Sequence, residues 1–312
     1  MTSRGLVYAA IEHRETERIP YCIGFAADGR EKLQAERGIT DEEAFLDNDV
    51  IRVFPPWWQW RGLGPEWHGP DPPELPATVI GAGSYEEFFH TVEAVHAAWK
   101  YVLACIYGSH FEKAYFARGI ENLLADLVAN RHWARQFAEG IVRRNLVMLE
   151  NLLGCPQIDG VLLGSDWGSQ AGLLMSPRVW EEVIRPGEQA EYDLIKHYGK
   201  HVWIHSCGNI TQIIPALVEM GVDVLNPVQP ECMDIALLKR EFGTDLTFWG
   251  GLSTQRTLPF GTPEDVRHEA REVRAILGSG GGLVFAPAQE LQGDVPFANV
   301  EALLEVAREK AC

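Results

Sequence analysis

The sequence predicts an α/β protein that forms a single (β/α)8 barrel over residues 1–312. One observation behind this prediction is that short apolar runs of strand length alternate with helical patterns through the second half of the chain. Another is that the strand–helix units, counted over the whole chain, reach eight. Apolar strands separated by helices are typical of parallel strands covered on both faces, and a barrel of eight such units has about this length.

The second half contains the more regular part of the pattern. Ser176-Pro177 and Thr262-Pro263 are helix start signals, because a hydroxyl cap followed by proline favours the first helical turn. Five strands are predicted, at residues 160–166, 201–206, 223–228, 246–251 and 282–288. Helices are predicted at residues 177–199, 210–221, 233–243, 263–278 and 296–311.

The first half is less regular and adds three strands to the count. An open doubly wound sheet is the alternative fold, but no glycine-rich phosphate turn follows the first strand. The three strands are predicted at residues 19–25, 49–54 and 101–107. Helices are predicted near residues 3–13, 85–99, 111–130 and 132–153.

The charge and composition exclude several classes of function. A formal net charge of −17 makes nucleic acid and anionic lipid poor partners. The first fifteen residues lack the apolar core of a signal peptide, and no run of eighteen apolar residues predicts a membrane span. The six cysteines include no C-x-x-C pair, which indicates reduced thiols. We therefore expect a cytoplasmic protein.

Residues 55–76 are predicted to form a loop because they are rich in proline and glycine. The loop contains four tryptophans, Trp57, Trp58, Trp60 and Trp67. One interpretation is a lid that packs its own aromatic side chains over the barrel. The other is an aromatic wall over a substrate, and the two are compatible.

Polar side chains gather where the predicted strands end. Catalytic groups of such barrels lie at the carboxyl ends of the strands, so these residues predict an active site. A strand with an apolar interior has no packing reason to end in charged or ligand-type residues. The residues are Asp166 after the fourth strand, His205 and Cys207 after the fifth, Asn226 and Gln229 after the sixth, and Gln289 and Glu290 after the eighth.

His205 and Cys207 are two residues apart, a spacing that places both side chains on one face of a strand. An imidazole and a thiolate on one face are zinc ligands when a third ligand comes from elsewhere. The alternative is a buried histidine bonded to backbone beside an inert cysteine. Asp166 is a candidate general acid or base, a metal ligand, or a cap for the following turn.

Several stretches of the chain resemble the uroporphyrinogen decarboxylase superfamily, and especially its methyltransferase-like branch. The most specific are H-S-C-G-N at residues 205–209 and N-P-V-Q-P at residues 226–230. The first half is similar as well, at residues 7–20 and 111–127. The longer matching stretches are residues 163–177, 203–230, 249–266 and 286–300. The resemblance implies a (β/α)8 barrel over nearly the whole chain.

The activity that the resemblance implies is divided between two branches. True uroporphyrinogen decarboxylases need no cofactor, bind the substrate carboxylates with amino-terminal arginines, and carry a late histidine. Residues 24–38 are not similar to that arginine motif, and Arg30 is a weak substitute. Gln289 occupies the position of the late histidine. Decarboxylation of uroporphyrinogen is therefore not the expected activity.

The methyltransferase branch moves a methyl group between a methylated donor, a corrinoid and a thiol, with zinc held by an H-x-C pair and a late cysteine. His205 and Cys207 match the pair, but Gln289 also stands where the late cysteine would be. Glu290 or Asp166 is the expected replacement ligand, with Cys232 as a further candidate.

The predicted function is a methyltransferase or demethylase that transfers a methyl group from a small compound to a corrinoid protein or a thiol. Two alternatives remain: a metal-free decarboxylase of the same superfamily, and a non-catalytic corrinoid- or tetrapyrrole-binding protein. The predicted metal ligands are His205, Cys207 and Glu290; the predicted catalytic residues are Asp166, Gln229 and Gln289; and the predicted substrate-binding residues are Trp57, Trp58, Trp60, Tyr115, Arg118 and Asn226.

Overall fold

Strands and helices alternate along the chain in the computed structural model, which describes residues 1–59, 78–80, 84–106 and 108–311. Of residues 57–59 and 78–80 it describes the backbone. The strands are β1 (Val50–Val53), β2 (Trp57–Gln59), β3 (Thr78–Ile80), β4 (Tyr101–Ile106), β5 (Gly160–Gly164), β6 (Gly168–Ser169), β7 (Gly172–Leu173), β8 (His201–His205), β9 (Val224–Asn226), β10 (Thr247–Leu252) and β11 (Leu283–Pro287).

Helices follow most of these strands. A π-helical turn, Trp180–Ile184, and a 3-10 turn, Thr211–Ile213, each directly precede a helix. The helices are α1 (Ser3–Ile11), α2 (Ala27–Arg37), α3 (Glu42–Leu46), α4 (Tyr85–Ala97), α5 (His110–Arg118), α6 (Ile120–Ala129), α7 (Arg131–Leu153), α8 (Pro177–Val179), α9 (Arg185–His197), α10 (Ile214–Glu219), α11 (Ile235–Phe242), α12 (Thr257–Phe260), α13 (Pro263–Gly278) and α14 (Phe297–Ala307).

The main sheet has seven strands in the order β1-β4-β5-β8-β9-β10-β11. The pairings of β4 with β5, β5 with β8, β9 with β10 and β10 with β11 are all parallel. Every residue of β4, β5, β10 and β11 is buried, as expected for parallel strands covered on both faces. The predicted α/β class with parallel strands is confirmed.

The chain divides into two compact units. Unit 1 comprises Met1–Ile51, Ala98–Tyr101 and Asp223–Cys312, and it contains β9–β11 with α1–α3 and α11–α14. Unit 2 comprises Arg52–Ala97 and Val102–Val222, and it contains β5–β8 with α4–α10. The expectation of one domain over the whole chain stays a prediction.

The first predicted strand, residues 19–25, makes two isolated parallel bridges to β11 and its extension instead of a continuous strand. On its other edge the Asp49 N–H donates to the Tyr21 carbonyl at 3.1 Å, but side chains accept the next two N–H groups: the Asp49 carboxylate accepts the Tyr21 N–H at 3.0 Å, and the Asn48 amide oxygen accepts the Ile23 N–H at 2.8 Å. Because side-chain oxygens accept these two N–H groups, the segment makes no regular ladder. In the part of the chain that the structure describes, the sheet therefore has seven strands, where eight were predicted.

The predicted loop at residues 55–76 contains a piece of regular structure. Trp57 and Trp58 lie in β2, which pairs antiparallel with β3. Trp60 and Trp67 lie outside the described residues, so the lid stays a prediction.

Two predicted helices are interrupted. The helix predicted at residues 111–130 is α5 and α6, separated by Gly119 with a φ of 83°. The helix predicted at residues 177–199 is α8, the π-helical turn and α9, with Pro186 at the start of α9. Proline has no N–H to donate to the preceding turn, which explains the irregular turn.

Candidate metal centre at two strand ends

Two neighbouring parallel strands of unit 2, β5 and β8, end side by side. Gly164 pairs with His205 in the register, and the Ser165 N–H donates to the His205 carbonyl at 2.8 Å. Asp166 follows two residues after β5 ends, and Cys207 follows two residues after β8 ends. The parallel register therefore brings residues 41 positions apart in the sequence to one edge of the sheet.

The side chains of Asp166, His205 and Cys207, which we call the strand-end centre, converge. The Cys207 Sγ lies 3.3 Å from the His205 Nε2, and the Asp166 Oδ1 lies 3.6 Å from the same nitrogen. One ligand atom of each residue lies within 4.8 Å of the others. The side chains of His205 and Asp166 are 18% and 36% exposed, so small molecules have access to the centre.

Backbone contacts hold the loops of the strand-end centre together. The Cys207 N–H donates to the Asp166 Oδ1 at 2.8 Å, and the Trp167 N–H donates to the Ser206 Oγ at 3.1 Å. Gly208 has a φ of 79°, and a Cβ there would lie 2.5 Å from the carbonyl carbon of Gly168. Both the positive φ and the close approach of the Gly168 backbone require glycine at position 208. Because glycine has no side chain, the two loops can touch.

These distances fit a tetrahedral zinc ion. Bonds of about 2.3 Å to sulfur and about 2.0 Å to nitrogen set those two atoms about 3.5 Å apart. The measured separation between the Cys207 sulfur and the His205 nitrogen is 3.3 Å. One sulfur, one nitrogen and one carboxylate oxygen make up three of four ligands, which is the arrangement of a catalytic zinc site with an open position.

Glu112, on the first turn of α5, lies behind the strand-end centre, and the sequence analysis did not single it out. Its carboxyl is buried, accepts the Tyr115 hydroxyl at 3.3 Å, and lies against Gly164, where a Cβ would be 3.2 Å from its Oε2. Burial, and then the charge of Asp166, raises the pKa of Glu112 to about 7. An acidic residue in a first helical turn is common, so its position carried no signal.

The structure places the two predicted substrate-binding residues of α5 differently. Tyr115 lies beside Glu112 through its hydroxyl, close to the strand-end centre. Arg118 is buried, forms an ion pair with Asp126 at 2.8 Å, and lies 5.1 Å from the centre of the Trp133 ring. These contacts join α5, α6 and α7, so Arg118 has a structural role.

Four other predicted site residues belong to unit 1. Asn226 is buried at the end of β9 and donates to the Trp249 carbonyl at 2.8 Å. Gln229 is buried, and its carbonyl accepts the N–H groups of Cys232 and Met233. Gln289 and Glu290 follow β11 and are half-buried. The roles predicted for these side chains, including Glu290 as a third ligand, stay predictions.

The fold and the site together define a class: α/β proteins in which ligand-type side chains, here a thiol, an imidazole and a carboxylate, lie at the adjoining ends of parallel strands. The family model described as "Uroporphyrinogen decarboxylase (URO-D)" matches residues 84–310. The chain belongs to this family, which confirms the resemblance drawn from the sequence.

Two comparisons with individual proteins agree with the family. A methylated-thiol–coenzyme M methyltransferase of Methanosarcina mazei is 22% identical over 145 residues, which are 45% of this chain and 36% of that protein. The match thus spans about a third of the curated relative. A solved methyltransferase from Methanosarcina mazei is 16% identical, with a TM-score of 0.70 over 98% of both chains, and shares the fold.

Among the described residues, no helix is both long enough and apolar enough to cross a membrane.

Proposed function

We propose that the chain is a methyltransferase that moves a methyl group from a small methylated compound to a corrinoid protein or a thiol. The observation that carries the proposal is the convergence of Cys207, His205 and Asp166 within 4.8 Å at accessible strand ends. It is supported by the similarity of the chain to two methyltransferases of Methanosarcina mazei.

In this proposal His205, Cys207 and Asp166 hold zinc. Zinc bound there would keep a thiol in the open position as its thiolate at neutral pH. Asp166 accepts the Cys207 N–H through its Oδ1, so the carboxylate and the thiol are held in one geometry before substrate arrives. During transfer to a thiol, the deprotonated sulfur of that acceptor thiol forms a bond to the methyl carbon. The bond from that carbon to the donor atom breaks, and its electron pair stays on the donor atom.

Other side chains have proposed roles around this centre. Glu290 is the alternative third ligand, in which case Asp166 is a general base. Gln229 and Gln289 would orient the substrate. If the donor is an aryl methyl ether, the tryptophans would stack on its ring. The proposed substrate-binding residues are Trp57, Trp58, Trp60, Tyr115, Arg118 and Asn226.

The proposal also includes the closed (β/α)8 barrel and a cytoplasmic location. Support for closure comes from residues 19–25, whose backbone bonds to both of its neighbours. The Cys22 N–H donates to the Phe285 carbonyl of β11 at 3.1 Å, and the Tyr21 carbonyl accepts the Asp49 N–H at 3.1 Å.

The test is methyl transfer from methylcobalamin to a panel of small thiols, measured by the loss of methylcobalamin absorbance. We expect transfer by the parent protein with at least one thiol and none by Cys207→Ala. Cys155→Ala is the matched control, because this half-buried cysteine of unit 2 contacts Gln157 rather than the strand-end centre. It should keep the parent rate.

Equal rates for the parent protein and Cys207→Ala would contradict the proposal. So would the absence of transfer from methylcobalamin and from methylated thiols, ethers and amines. Release of carbon dioxide from a small acid by metal-free protein would then favour the decarboxylase alternative. Binding of a corrinoid or tetrapyrrole without turnover would favour the non-catalytic one.

A further inference from the structure

A second set of ligand-type side chains lies in unit 2, and all of it is buried. His110 opens α5, while Glu188 and Glu191 are three residues apart on α9 and therefore share one face of that helix. The His110 Nδ1 lies 3.3 Å from the Glu188 Oε1 and 4.0 Å from the Glu191 Oε1. We call these three residues the buried cluster; their side chains are 0–1% exposed.

Each carboxylate of the buried cluster has one oxygen that is held in place. The Glu188 Oε1 accepts the Ser109 hydroxyl at 2.5 Å and the Ser165 hydroxyl at 3.2 Å. The Glu191 Oε1 accepts the Asn145 amide at 2.7 Å. Such hydrogen bonds orient metal-binding carboxylates in known sites.

The remaining polar atoms of the buried cluster make no hydrogen bond of good geometry with a described residue, although the Tyr192 hydroxyl interacts with Glu188 and the Ile184 carbonyl with His110. These are the Oε2 atoms of Glu188 and Glu191 and both ring nitrogens of His110. Buried polar atoms in folded proteins are nearly always paired, and four exceptions in one place point to a ligand between them. One ligand atom from each of the three residues lies within 4.8 Å of the others, close enough for a single ion to touch all three.

The packing holds the imidazole in this position. Gly187, on α9, faces it: a Cβ at residue 187 would lie 2.8 Å from the His110 Cε1 and 3.0 Å from its Nε2. Only glycine leaves room for the ring there.

The charges around the buried cluster also call for a cation. Lys113 is fully buried and interacts electrostatically with Glu112, Glu188 and Glu191. Three buried carboxyls thus face one ammonium group. Ionised carboxylates without enough positive charge are costly in an apolar interior. Either protons or a metal ion must balance them.

We propose that His110, Glu188 and Glu191 bind one divalent transition-metal ion as a structural site distinct from the strand-end centre. One imidazole and two carboxylates suit Mn²⁺, Fe²⁺ or Zn²⁺, whereas the thiol of Cys207 favours zinc. Because the site is buried, the ion enters during folding and exchanges slowly. The inference goes beyond methyl transfer and does not depend on it.

The test counts metal in protein that lacks the thiol of the strand-end centre. Cys207→Ala is refolded with Mn²⁺, dialysed against chelator and analysed by plasma mass spectrometry. We expect about one Mn²⁺ per chain, retained through dialysis. Cys207→Ala with Glu191→Gln should retain less than a tenth of that amount. Cys207→Ala with Asp193→Asn is the matched control, because Asp193 is an exposed acid on the same helix, and it should retain the full amount.

A folded Cys207→Ala protein that retains neither Mn²⁺ nor Zn²⁺ would overturn the proposal and leave protons and Lys113 as the balancing charges. Equal retention with and without Glu191→Gln would overturn it as well. If Cys207→Ala with Glu191→Gln does not fold, Cys207→Ala with Glu188→Gln takes its place and should likewise retain less than a tenth of the metal. The methyl-transfer assay bears on neither outcome, so the two proposals fail separately.

Discussion

The strand-end centre and the buried cluster lie in the same unit and use similar ligands, but they differ in their access to solvent. Asp166 and His205 are partly exposed, whereas His110, Glu188 and Glu191 are sealed. A substrate can therefore approach the first set, while the second can hold only what is enclosed during folding. Both sets contain an imidazole and a carboxylate, but only the strand-end centre has a thiol and is open to solvent, which suits it to chemistry, whereas enclosure suits the buried cluster to stability.

The largest effect expected from this difference is on activity. Cys207→Ala should lower the rate of methyl transfer by more than about 1000-fold, equivalent to about 4 kcal/mol of barrier. Its free energy of unfolding should change by less than about 1 kcal/mol, because the side chain is half-buried. Transfer assays and urea denaturation of the same preparation measure both. A variant that loses stability and keeps its rate would reverse the comparison.

Glu191→Ala should have the opposite signature. Removing a buried carboxylate leaves the Asn145 amide without its acceptor and Lys113 with less compensating charge, which costs about 3 kcal/mol or more. Urea denaturation would measure the loss. Asp193→Ala, on the exposed side of the same helix, should change the free energy of unfolding by less than about 0.5 kcal/mol. Similar losses in the two variants would show that burial of the cluster does not matter.

Glu112, whose carboxyl interacts electrostatically with Asp166 and Lys113, should control how stability depends on pH in metal-free protein. Its pKa is raised from 4.5 to about 7, so the folded state holds a proton that the unfolded state releases. The contribution to stability is complete below about pH 4.5 and is lost as the pH rises to about 7, by up to about 3 kcal/mol.

Denaturation of chelator-treated protein at a series of pH values would measure this loss. Glu112→Gln should remove that part of the slope. An unchanged slope in the variant would mean that Glu112 is ionised in the folded protein, and that Asp166 has a second negative charge beside it.

A smaller effect is expected from the glycine that joins the two loops of the strand-end centre. Gly208→Ala should cost about 2 kcal/mol and weaken zinc binding, because its Cβ would overlap the backbone of Gly168 and Ser169. Gly199→Ala is the control: its φ of 68° is also positive, but nothing lies within 4 Å of the added carbon. That change should cost about 1 kcal/mol and leave zinc binding intact. Thermal melts and zinc titrations compare them, and equal zinc affinities would contradict the role of the loop contact.

The parts of the fold that were predictable from sequence have local signals. Residues 160–164, 201–205 and 283–287 are apolar runs between helix caps, and they form β5, β8 and β11. Residues 19–25 have the same apolar character, but the N–H groups of Tyr21 and Ile23 donate to the side chains of Asp49 and Asn48, which no local pattern reveals. Helix α2 was missed because it has only two buried residues and hence almost no apolar periodicity.

The candidate site shows the same division. The spacing of His205 and Cys207 and the rule that parallel strands end at one edge were sufficient to predict that Asp166 lies beside them. Glu188 and Glu191 could not be found this way, because charged residues on a helix look alike in sequence whether they face solvent or the interior. Only the packing of α9 against Ser109, Ser165 and Asn145 shows that these two are buried.

Zinc X-ray absorption spectroscopy would show whether the strand-end centre holds zinc through one sulfur. Protein carrying one equivalent of zinc should show a single sulfur at about 2.3 Å, with nitrogen and oxygen ligands at about 2.0–2.2 Å. Cys207→Ala should lose the sulfur contribution. A zinc shell made only of nitrogen and oxygen in the parent protein, or a sulfur signal that persists in Cys207→Ala, would contradict the account.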